Sequence, residues 1–403
     1  MTASFLPYGR QSVDREDIES VLAVLESDML TTGPAVDAFA SALCEQTGAA
    51  YAVPCSSGTA ALHLAALALQ LGRGDSVVVP SLTFVATANA VRYVGAEVVL
   101  ADVDPDTGLM GPRQLEEAIA SCGGAAPSAV FPVHLNGQCQ DPAGISETAG
   151  RYGLRIVEDA AHAIGTRYGA TENFANAVGG CAHADMTIFS FHPVKTAAMG
   201  EGGAVTTNDP ALFDRLEKLV NHGLIRDAEA FESDTLAFDA SGSANPWYYE
   251  LHELGFNYRA SDIHCALGRS QLGKLARFVE RRCALVEKYE TLLAPLAPVV
   301  RPVGRVPGCR PAWHLMAVLV DFEEAGVERA DVMRRLRERN IGSQVHYLPV
   351  HLQPYYQHRY GPISLPGAET YYRRVLTLPL FVEMTDDDVR RVVEALTESL
   401  AEN

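Results

Sequence analysis

The chain contains 403 residues, and its 48% hydrophobic and 20% charged content is typical of a globular protein that buries a large core. A formal net charge of −18 argues against binding to nucleic acids, because phosphate backbones are bound by basic surfaces. The longest nearly apolar run, residues 59–72, is shorter than the roughly 20 residues that a membrane span requires, and residues 1–11 lack the pattern of a signal peptide. We therefore expect a cytoplasmic protein that binds neither membranes nor nucleic acid.

The cysteines are dispersed along the sequence. Eight of them occur without a CxxC pair or a metal-like cluster. This spacing does not favour a disulfide framework, a zinc ribbon or an iron–sulfur site. We expect reduced thiols and no bound metal.

The N-terminal region begins with two predicted helices, over 14–28 and 35–46, with a turn at 31–34 between them. Ser56, Ser57 and Thr59 then precede a third helix that is apolar nearly all round. The hydroxyls can simply cap this helix. They can also mark an anion site, because the helix start offers free N–H groups and Gly58 allows close approach of a phosphate.

Strands and helices alternate from residue 75 to residue 209, which predicts an α/β fold with a mostly parallel sheet covered on both faces. A short connection joins the last two strands and allows one of them to run antiparallel. Ligands bind at the carboxyl ends of strands in such sheets, where the polar segments 80–81, 134–136, 159–162 and 192–195 fall. The predicted strands are 75–80, 96–104, 128–137, 154–165, 186–191 and 203–209, and the helices between them are 83–95, 112–121 and 141–153.

The C-terminal region has a different character. Residues 228–246 are polar and small and predict an exposed insertion. A helix is predicted from Ser261, continuing as a long helix to about residue 296, and the Pro-rich tract 299–313 marks entry to a smaller unit. In that unit we predict a strand at 314–322, a helix at 329–340, a strand and loop at 341–353, and final helices after Tyr371 and Thr385. The predicted domains are 1–269 and 270–403.

Lys195 is one of four lysines, and the other three lie in amphipathic helical patterns. It stands between the apolar runs MTIFSF and GAVTTN, which read as core strands. One reading is a lysine in a surface hairpin loop. The other is a reactive amine, since a lysine placed between buried strands is commonly used to form a Schiff base.

Asp159 closes an apolar strand at the expected ligand edge, 36 residues before Lys195. Alone it could be a metal ligand, a ribose binder or a helix cap. Together with Lys195 it suggests pyridoxal 5′-phosphate (PLP), which needs a lysine for its aldehyde carbon and an aspartate that keeps its pyridine nitrogen protonated. PLP also needs a phosphate cradle, which Ser57, Gly58 and Thr59 could provide.

Five ordered motifs then make a specific resemblance: SSGTAALHLA, PSLTFVATANAV, VEDAAHAIG, SFHPVK with GEGGAVTTND, and GFNYRASDIHCALGRSQL. Together they resemble the DegT/DnrJ/EryC1/StrS family of sugar aminotransferases over most of the chain. The resemblance implies the type I (aspartate aminotransferase) fold of PLP-dependent transferases, with a mostly parallel seven-stranded sheet in a large domain and a small C-terminal α/β domain. It also implies a homodimer with active sites at the subunit interface.

The resemblance assigns roles to individual residues. Lys195 would be the Schiff-base lysine, Asp159 the partner of the pyridine nitrogen, and His162 a contact on the phenolic-oxygen side of the ring, with His192 as a helper on the lysine loop. Phe84 would stack on the ring, although alone it reads more simply as a core aromatic. The phosphate would be held by Ser57, Gly58, Thr59 and Ser190, with Asn257 reaching it from the neighbouring subunit.

The implied reaction transfers the amino group of L-glutamate, through pyridoxamine 5′-phosphate (PMP), to a keto carbon of a nucleotide sugar. Within the family the sequence most resembles transaminases of the pseudaminic-acid pathway, which aminate C4 of a UDP-linked 4-keto-6-deoxy-N-acetylhexosamine. Another keto sugar, linked to dTDP or aminated at C3, is the alternative. Candidate contacts for the substrate are Arg10, Arg226, Arg259, His346 and His351.

The sequence departs from the family pattern at Asn136, Met199 and 228–246, where we expect sugar specificity to be set.

Two other activities are compatible with the fold. A PLP-dependent sugar dehydratase is disfavoured because such enzymes replace the lysine with histidine or add a cysteine-bound cluster. A regulatory protein that binds PLP without turnover would keep the same residues, and addition of L-glutamate would distinguish it.

Overall fold

The computed structural model describes residues 4–124, 126–169 and 175–402, so the first three residues of the segment 1–11 lie outside it. Helices start where the sequence provides caps: the side chains of Asp14, Ser57, Ser261 and Thr385 each accept from the backbone of the helix that follows. The α-helices of this part of the chain are α1 (Arg15–Leu25), α2 (Pro34–Thr47), α3 (Gly58–Ala68), α4 (Ala86–Tyr93), α5 (Pro112–Ser121), α6 (Pro142–Tyr152), α7 (Pro210–Val220), α8 (Asp234–Ala237), α9 (Asp262–Gly273), α10 (Leu275–Leu293), α11 (Arg329–Glu338), α12 (Pro354–Tyr360), α13 (Pro366–Arg374) and α14 (Asp386–Ala401).

The strands of the described residues belong to one large sheet and three small ones. The large sheet has seven strands in the order β1-β9-β8-β5-β4-β2-β3. The strands are β1 (Tyr51–Cys55), β2 (Ser76–Pro80), β3 (Glu97–Ala101), β4 (Ala129–Val130), β5 (Arg155–Asp159), β6 (Arg167–Tyr168), β7 (Asn176–Ala177), β8 (Met186–Ser190), β9 (Gly203–Thr207), β10 (Leu224–Ile225), β11 (Glu250–Leu251), β12 (Val300–Pro302), β13 (Cys309–Arg310), β14 (Met316–Val320) and β15 (Val375–Leu378).

The large sheet confirms the predicted α/β architecture. Strands β2, β3, β4, β5 and β8 run parallel, whereas β9 pairs antiparallel with both β8 and β1. The connection between β8 and β9 carries Lys195 and contains no helix, so β9 returns antiparallel along β8. Because the strands are buried on both faces, their sequences are almost continuously apolar.

The C-terminal part differs from the prediction in three places. Residues 375–378 form the strand β15, which pairs antiparallel with β14, and Tyr371 lies inside α13 rather than before a helix. The predicted strand within 341–353 is wrong, since only isolated bridges at Ile341 and Gln344 occur there. The long helix is interrupted at Lys274, whose buried ammonium pairs with Asp14 and Asp17 at the start of α1.

The two predicted domains share a continuous apolar core. Val130 of the large sheet, Leu285 of α10 and Leu376 of β15 belong to the same buried cluster. Near the N-terminus, Leu6 forms a parallel bridge with Ile341. The predicted boundary at 269/270 falls inside α9, and the division into two domains stays a prediction.

No helix in the described part of the chain combines the length and the apolar character that crossing a membrane requires.

Candidate active site

Polar ends of neighbouring strands open into one cavity of about 490 Å³. A cavity of this volume is within the range that holds cofactors and small substrates. Asp159 ends β5, Ser190 ends β8, and Ser57 to Thr59 begin α3 beside them. The sequence-predicted site residues that line this cavity are Ser57, Gly58, Thr59, Phe84, Asp159, His162, Ser190, His192, Lys195 and His346.

Lys195 lies in the loop that follows β8 and lines the cavity. Burial lowers the pKa of its amine from 10.5 to about 8, and the negative charge of Asp159 acts in the opposite direction. No carboxylate among the described residues lies within ion-pair distance of its Nζ. Near pH 8 a large share of this amine is therefore neutral and nucleophilic.

The low pKa of Lys195 predicts a stability effect that is independent of activity. The folded apoenzyme disfavours the ammonium, and this cost is complete below about pH 8 and disappears as the pH rises toward 10.5, where the unfolded chain also loses its proton. Replacing Lys195 with Met should therefore raise the free energy of unfolding at pH 7 by about 3 kcal/mol, and the gain should shrink above pH 8.

Urea unfolding of the two apoproteins at pH 7 and pH 10 measures this difference. Lys288→Met, which removes a lysine from α10 far along the chain, is the control for a lysine-to-methionine change. A gain of the same size in the control, or a gain at Lys195 that does not depend on pH, would contradict the prediction.

Asp159 is held rigidly on the cavity floor. Its Oδ2 accepts from the Thr87 hydroxyl at 2.7 Å, and its Oδ1 accepts from the Ala161 backbone N–H at 3.1 Å. Thr83 in turn lies 2.8 Å from Thr87, so a short hydroxyl chain supports the carboxylate. This network fixes the orientation of Asp159 while the residue still faces the cavity.

The start of α3 forms a narrow cradle. Ser57 caps the helix by accepting from the Ala60 N–H at 3.1 Å, which leaves the N–H groups of Gly58 and Thr59 without a partner in the helix. A Cβ added at Gly58 would lie 2.8 Å from the Cβ of Ser190. Free donors, a helix N-terminus and the absence of a side chain together fit a phosphate group.

This cradle yields a second prediction. Gly58→Ala should weaken PLP binding by about tenfold to a hundredfold, because the added methyl must displace Ser190 and one side of the cradle. Fluorescence titration of the apoenzyme with PLP measures the affinity. Gly150→Ala is the matched control: it lies in α6 with open space around it and should leave the affinity unchanged. Equal affinities for the two variants would contradict the prediction.

His162 is buried against the cavity wall with both ring nitrogens engaged. Its Nδ1 accepts from the Asn136 backbone N–H at 3.3 Å, and its Nε2 lies 3.1 Å from the hydroxyl of Tyr347. Burial lowers the pKa of His162 well below its usual range, so the ring is neutral. A neutral imidazole cannot supply positive charge to a ligand.

Two further histidines share this wall. The ring of His314 lies 4.2 Å from that of His162, centroid to centroid, and its Nδ1 has no hydrogen-bond partner among the described residues. His346 accepts or donates at 2.9 Å with the Thr377 hydroxyl, and burial lowers its pKa to about 3. On this wall of the cavity burial therefore lowers the pKa values of His162, His314 and His346 and favours their neutral forms.

Five predicted residues lie outside this cavity in the single chain. His351 is buried, with Nδ1 2.6 Å from the Ser81 hydroxyl and Nε2 3.6 Å from Glu369. The others are at or near the surface: Arg10 packs over Phe381, Arg226 over Tyr249, Arg259 donates to Asn221, and Asn257 bridges to Asn221. Their roles toward substrate or cofactor stay predictions.

The positions expected to set sugar specificity also lie elsewhere. Asn136 is buried behind His162, where its side chain accepts from the Leu315 N–H at 2.7 Å and its carbonyl accepts from the His314 N–H. Met199 is fully buried in a core cluster with Phe39. Neither side chain lines the cavity.

Several polar or aromatic residues line the cavity although the sequence did not predict them: Tyr8, Thr83, Glu201, His314, Gln344 and Tyr347. Most of them come from segments far from the lysine loop in sequence. Tyr347, for instance, meets His162 across 185 residues of chain. Within residues 346–351 the sequence indicates only the two histidines as candidate contacts.

A lysine amine and a strand-end carboxylate facing one cavity on a mostly parallel sheet define a PLP-dependent enzyme of the type I fold. Residues 11–397 match the DegT/DnrJ/EryC1/StrS aminotransferase family, and the chain belongs to this family. It is an enzyme, a sugar aminotransferase, and the predicted fold is confirmed.

Individual relatives cover nearly the whole chain. The spore coat polysaccharide biosynthesis protein SpsC of Bacillus subtilis is 38% identical over 397 residues, covering 98% of this chain and 97% of SpsC. Among solved structures, Helicobacter pylori PseC, an aminotransferase involved in the biosynthesis of pseudoaminic acid, superimposes with a TM-score of 0.87 at 26% identity, covering 98% of this chain and 99% of that one. The PMP form of Spr1654 from Streptococcus pneumoniae gives a TM-score of 0.85 at 26% identity, with 98% of each chain covered.

The enzymes of this family use PLP, and Spr1654 has been solved in PLP and PMP forms. The residues of this chain fit the cofactor. Gly58 and Ser190 form a cradle that a side chain at residue 58 would fill, and the free amine of Lys195 faces the same cavity as Asp159. The cofactor prediction made from the sequence is confirmed.

Proposed function

We propose that this enzyme transfers the amino group of L-glutamate to the C4 keto carbon of a UDP-linked 4-keto-6-deoxy-N-acetylhexosamine, giving an amino sugar for glycan biosynthesis. The observation that carries the transfer chemistry is the free Lys195 amine, with its pKa near 8, in one cavity with Asp159. The similarity to PseC and SpsC supports a sugar that enters a surface polysaccharide or glycan.

PLP, when bound, supplies an electron sink and carries the amino group between donor and acceptor. The protein would contribute four functions. Lys195 would bind the cofactor's aldehyde carbon and then carry a proton on its Nζ. Asp159 would hold a proton on the pyridine nitrogen, the start of α3 would hold the phosphate, and Phe84 would cover one ring face.

Phe84 has the accessibility that such a role needs. Its side chain is 58% exposed and lines the cavity, with its ring 5.9 Å from that of Tyr347. An aromatic ring left open in this way at a cavity mouth is available to pack against a planar ligand. The reading as a simple core aromatic does not agree with this exposure.

The proposal includes a homodimer in which the partner subunit completes the site. The cavity of one chain is lined by no arginine among the described residues, although a diphosphate substrate calls for cations. Large apolar side chains are exposed in the segment that precedes Asn257, including Trp247 at 71% and Leu254 at 80%, as expected where another subunit packs. Arg226 lies at the surface of the same region.

The decisive test is turnover on a panel of 4-keto and 3-keto sugars linked to UDP or dTDP, with L-glutamate as donor and NMR assignment of the aminated carbon. We expect the UDP-linked 4-keto-N-acetyl sugar to give the highest kcat/KM. A preference for a dTDP-linked or 3-keto sugar would overturn the proposed substrate. Amination of the sugar with alanine or aspartate as donor, with release of pyruvate or oxaloacetate, but not with glutamate, would overturn the donor.

A further inference from the structure

Two cysteines that are far apart in the sequence meet in the structure. The Sγ atoms of Cys139 and Cys309 lie 3.6 Å apart, although 170 residues of chain separate them. All eight cysteines are free thiols, and these two form the only pair in contact in the described part of the chain. Because a disulfide joins sulfur atoms about 2 Å apart, oxidation requires only a further approach of these two side chains.

Hydrogen bonds already hold the backbone around the two thiols together. Gln138, next to Cys139, accepts from the Val306 N–H at 2.9 Å and donates to the Gly304 carbonyl at 2.9 Å. The backbone N–H of Cys309 donates to the Val306 carbonyl at 3.3 Å. The two segments are therefore in place before any bond forms, and joining the sulfur atoms costs the folded chain little further entropy.

The two thiols differ in exposure and in acidity. Cys139 is 1% exposed, whereas Cys309 is partly exposed. The Cys139 thiol donates to the sulfur of Cys309, and this hydrogen bond holds the pKa of Cys309 below its ordinary value. Donating that proton raises the pKa of Cys139, and the negative charge of Glu158 acts in the same direction. Cys309 is thus the thiol that ionises first and that an oxidant in solution reaches first.

The other six cysteines lack this combination of acidity and a neighbouring thiol. Burial raises the pKa of each, and none of them contacts another thiol in the residues that the structure describes. Buried thiols of this kind are unreactive. The six are Cys44, Cys55, Cys122, Cys181, Cys265 and Cys283.

We propose that Cys139 and Cys309 form a redox-active dithiol site that hydrogen peroxide converts into an intramolecular disulfide bond. The Cys309 thiolate attacks one peroxide oxygen, which forms a sulfenic acid on Cys309 and releases hydroxide. The Cys139 sulfur then attacks the Cys309 sulfur, which forms the S–S bond and expels the sulfenic oxygen as water. In total the two thiols lose two electrons and two protons, and the peroxide is reduced to two molecules of water. A small thiol such as glutathione reverses the reaction by exchange.

The disulfide fastens the C-terminal part of the chain to the large sheet. Cys139 follows β4 and Cys309 lies in β13, so the bond closes a loop of 170 residues. The same two segments already meet at Asn136, which accepts from the backbone N–H groups of His314 and Leu315. A bond here restricts the unfolded chain and stabilises this junction. Neither cysteine lines the cavity, so the disulfide acts on the junction and not directly on a ligand.

The first test treats the PLP-loaded enzyme with stoichiometric hydrogen peroxide. Thiols are then titrated in denaturant, and non-reduced peptides are analysed by mass spectrometry. We expect the loss of two of the eight thiols and one linked pair of peptides that contains Cys139 and Cys309, with both thiols restored by dithiothreitol. Retention of all eight thiols, a disulfide between other cysteines, or a sulfinic acid on Cys309 beside a free Cys139 would overturn the proposal.

Cys139→Ser tests the order of the two steps. The variant lacks the thiol that resolves the sulfenic acid, while its hydroxyl can still donate to the sulfur of Cys309. Dimedone, which traps sulfenic acids, should therefore label Cys309 in this variant after peroxide treatment. Equal labelling of Cys139 in Cys309→Ser would overturn the assigned order. Cys44→Ser is the matched control, since residue 44 is also partly exposed, and this variant should form the disulfide as the parent does.

The melting temperature measures the effect of the disulfide on the fold. The oxidised parent should melt a few degrees above the reduced parent, and neither Cys139→Ser nor Cys309→Ser should gain stability on oxidation. A disulfide that forms without raising the melting temperature would contradict the stabilising role. The mass spectrum of the parent decides the chemistry even where a variant does not fold. No measurement needs an amino donor or a sugar, so failure of the proposed transfer reaction would leave these results intact.

Discussion

Lys195→Ala is expected to lower turnover by at least about 10⁴-fold while leaving the fold intact. Its Nζ is the only unpaired amine in the described cavity, and the pKa near 8 makes it available both as nucleophile and as proton carrier. The histidines beside it, His162 and His346, have their pKa values lowered by burial and both engage protein hydroxyls. Neither His162 nor His346 is therefore free to replace the amine.

The variant should be measured by single-turnover kinetics with L-glutamate and by the visible absorbance of the bound cofactor. The covalent link should be absent even though the phosphate cradle and Asp159 remain. Lys195→Arg keeps the positive charge but not the nucleophile, and it should be equally inactive. A small primary amine added to Lys195→Ala should restore part of the proton-transfer rate.

Lys288→Ala, on α10, is the matched control and should retain full activity. If Lys195→Ala kept a tenth or more of the parental kcat, another group would have to carry the proton. The assignment of Lys195 would then be wrong. Loss of folding in the variant would be detected by circular dichroism and would leave Lys195→Arg to decide.

The large sheet was predictable from the sequence because its strands are short apolar runs ended by polar residues. Strand ends predicted Asp159 and Lys195 at one edge, and the helix start at Ser57 was a candidate anion site. The structure brings all three to one cavity. Periodicity and strand-end position are local signals. Both signals can be recognised from the few residues that flank each position in the sequence.

The wall formed by His162 and Tyr347 could not be predicted in the same way. It depends on the left-handed backbone at Asn136, with φ of 62°, which turns the N–H toward His162. It also depends on docking of the C-terminal segment, since β15 was hidden in a sequence that read as helix. Asn136 is therefore a structural brace, and a departure from a family pattern did not by itself indicate contact with substrate.

Asp159→Asn is the second large effect, with an expected loss of about 10²–10⁴-fold in kcat/KM. The amide is nearly isosteric, and its oxygen can still accept from either Thr87 or the Ala161 N–H. What it cannot do is supply the negative charge that holds a proton on the pyridine nitrogen. The loss should therefore appear in the chemical step and not in folding.

Glu158→Gln provides the control on the same strand. Successive residues of β5 point to opposite faces, and Glu158 is buried behind the sheet, where it accepts from the Thr187 hydroxyl at 2.7 Å and faces His134. Removing its charge should lower stability while keeping kcat within about threefold of the parent. Equal losses of activity in the two variants would mean that the effect reflects a general disturbance of β5.

The pH dependence of the residual activity also distinguishes loss of the Asp159 charge from a general disturbance of β5. If Asp159 acts by keeping the ring nitrogen protonated, the residual activity of Asp159→Asn should increase as the pH falls, because solvent protons then partly replace the missing charge. Protonation of Lys195 has the opposite effect on activity, since its amine loses nucleophilicity below about pH 8. A variant whose activity instead fell in parallel with the parent at every pH would show that Asp159 does not control that proton.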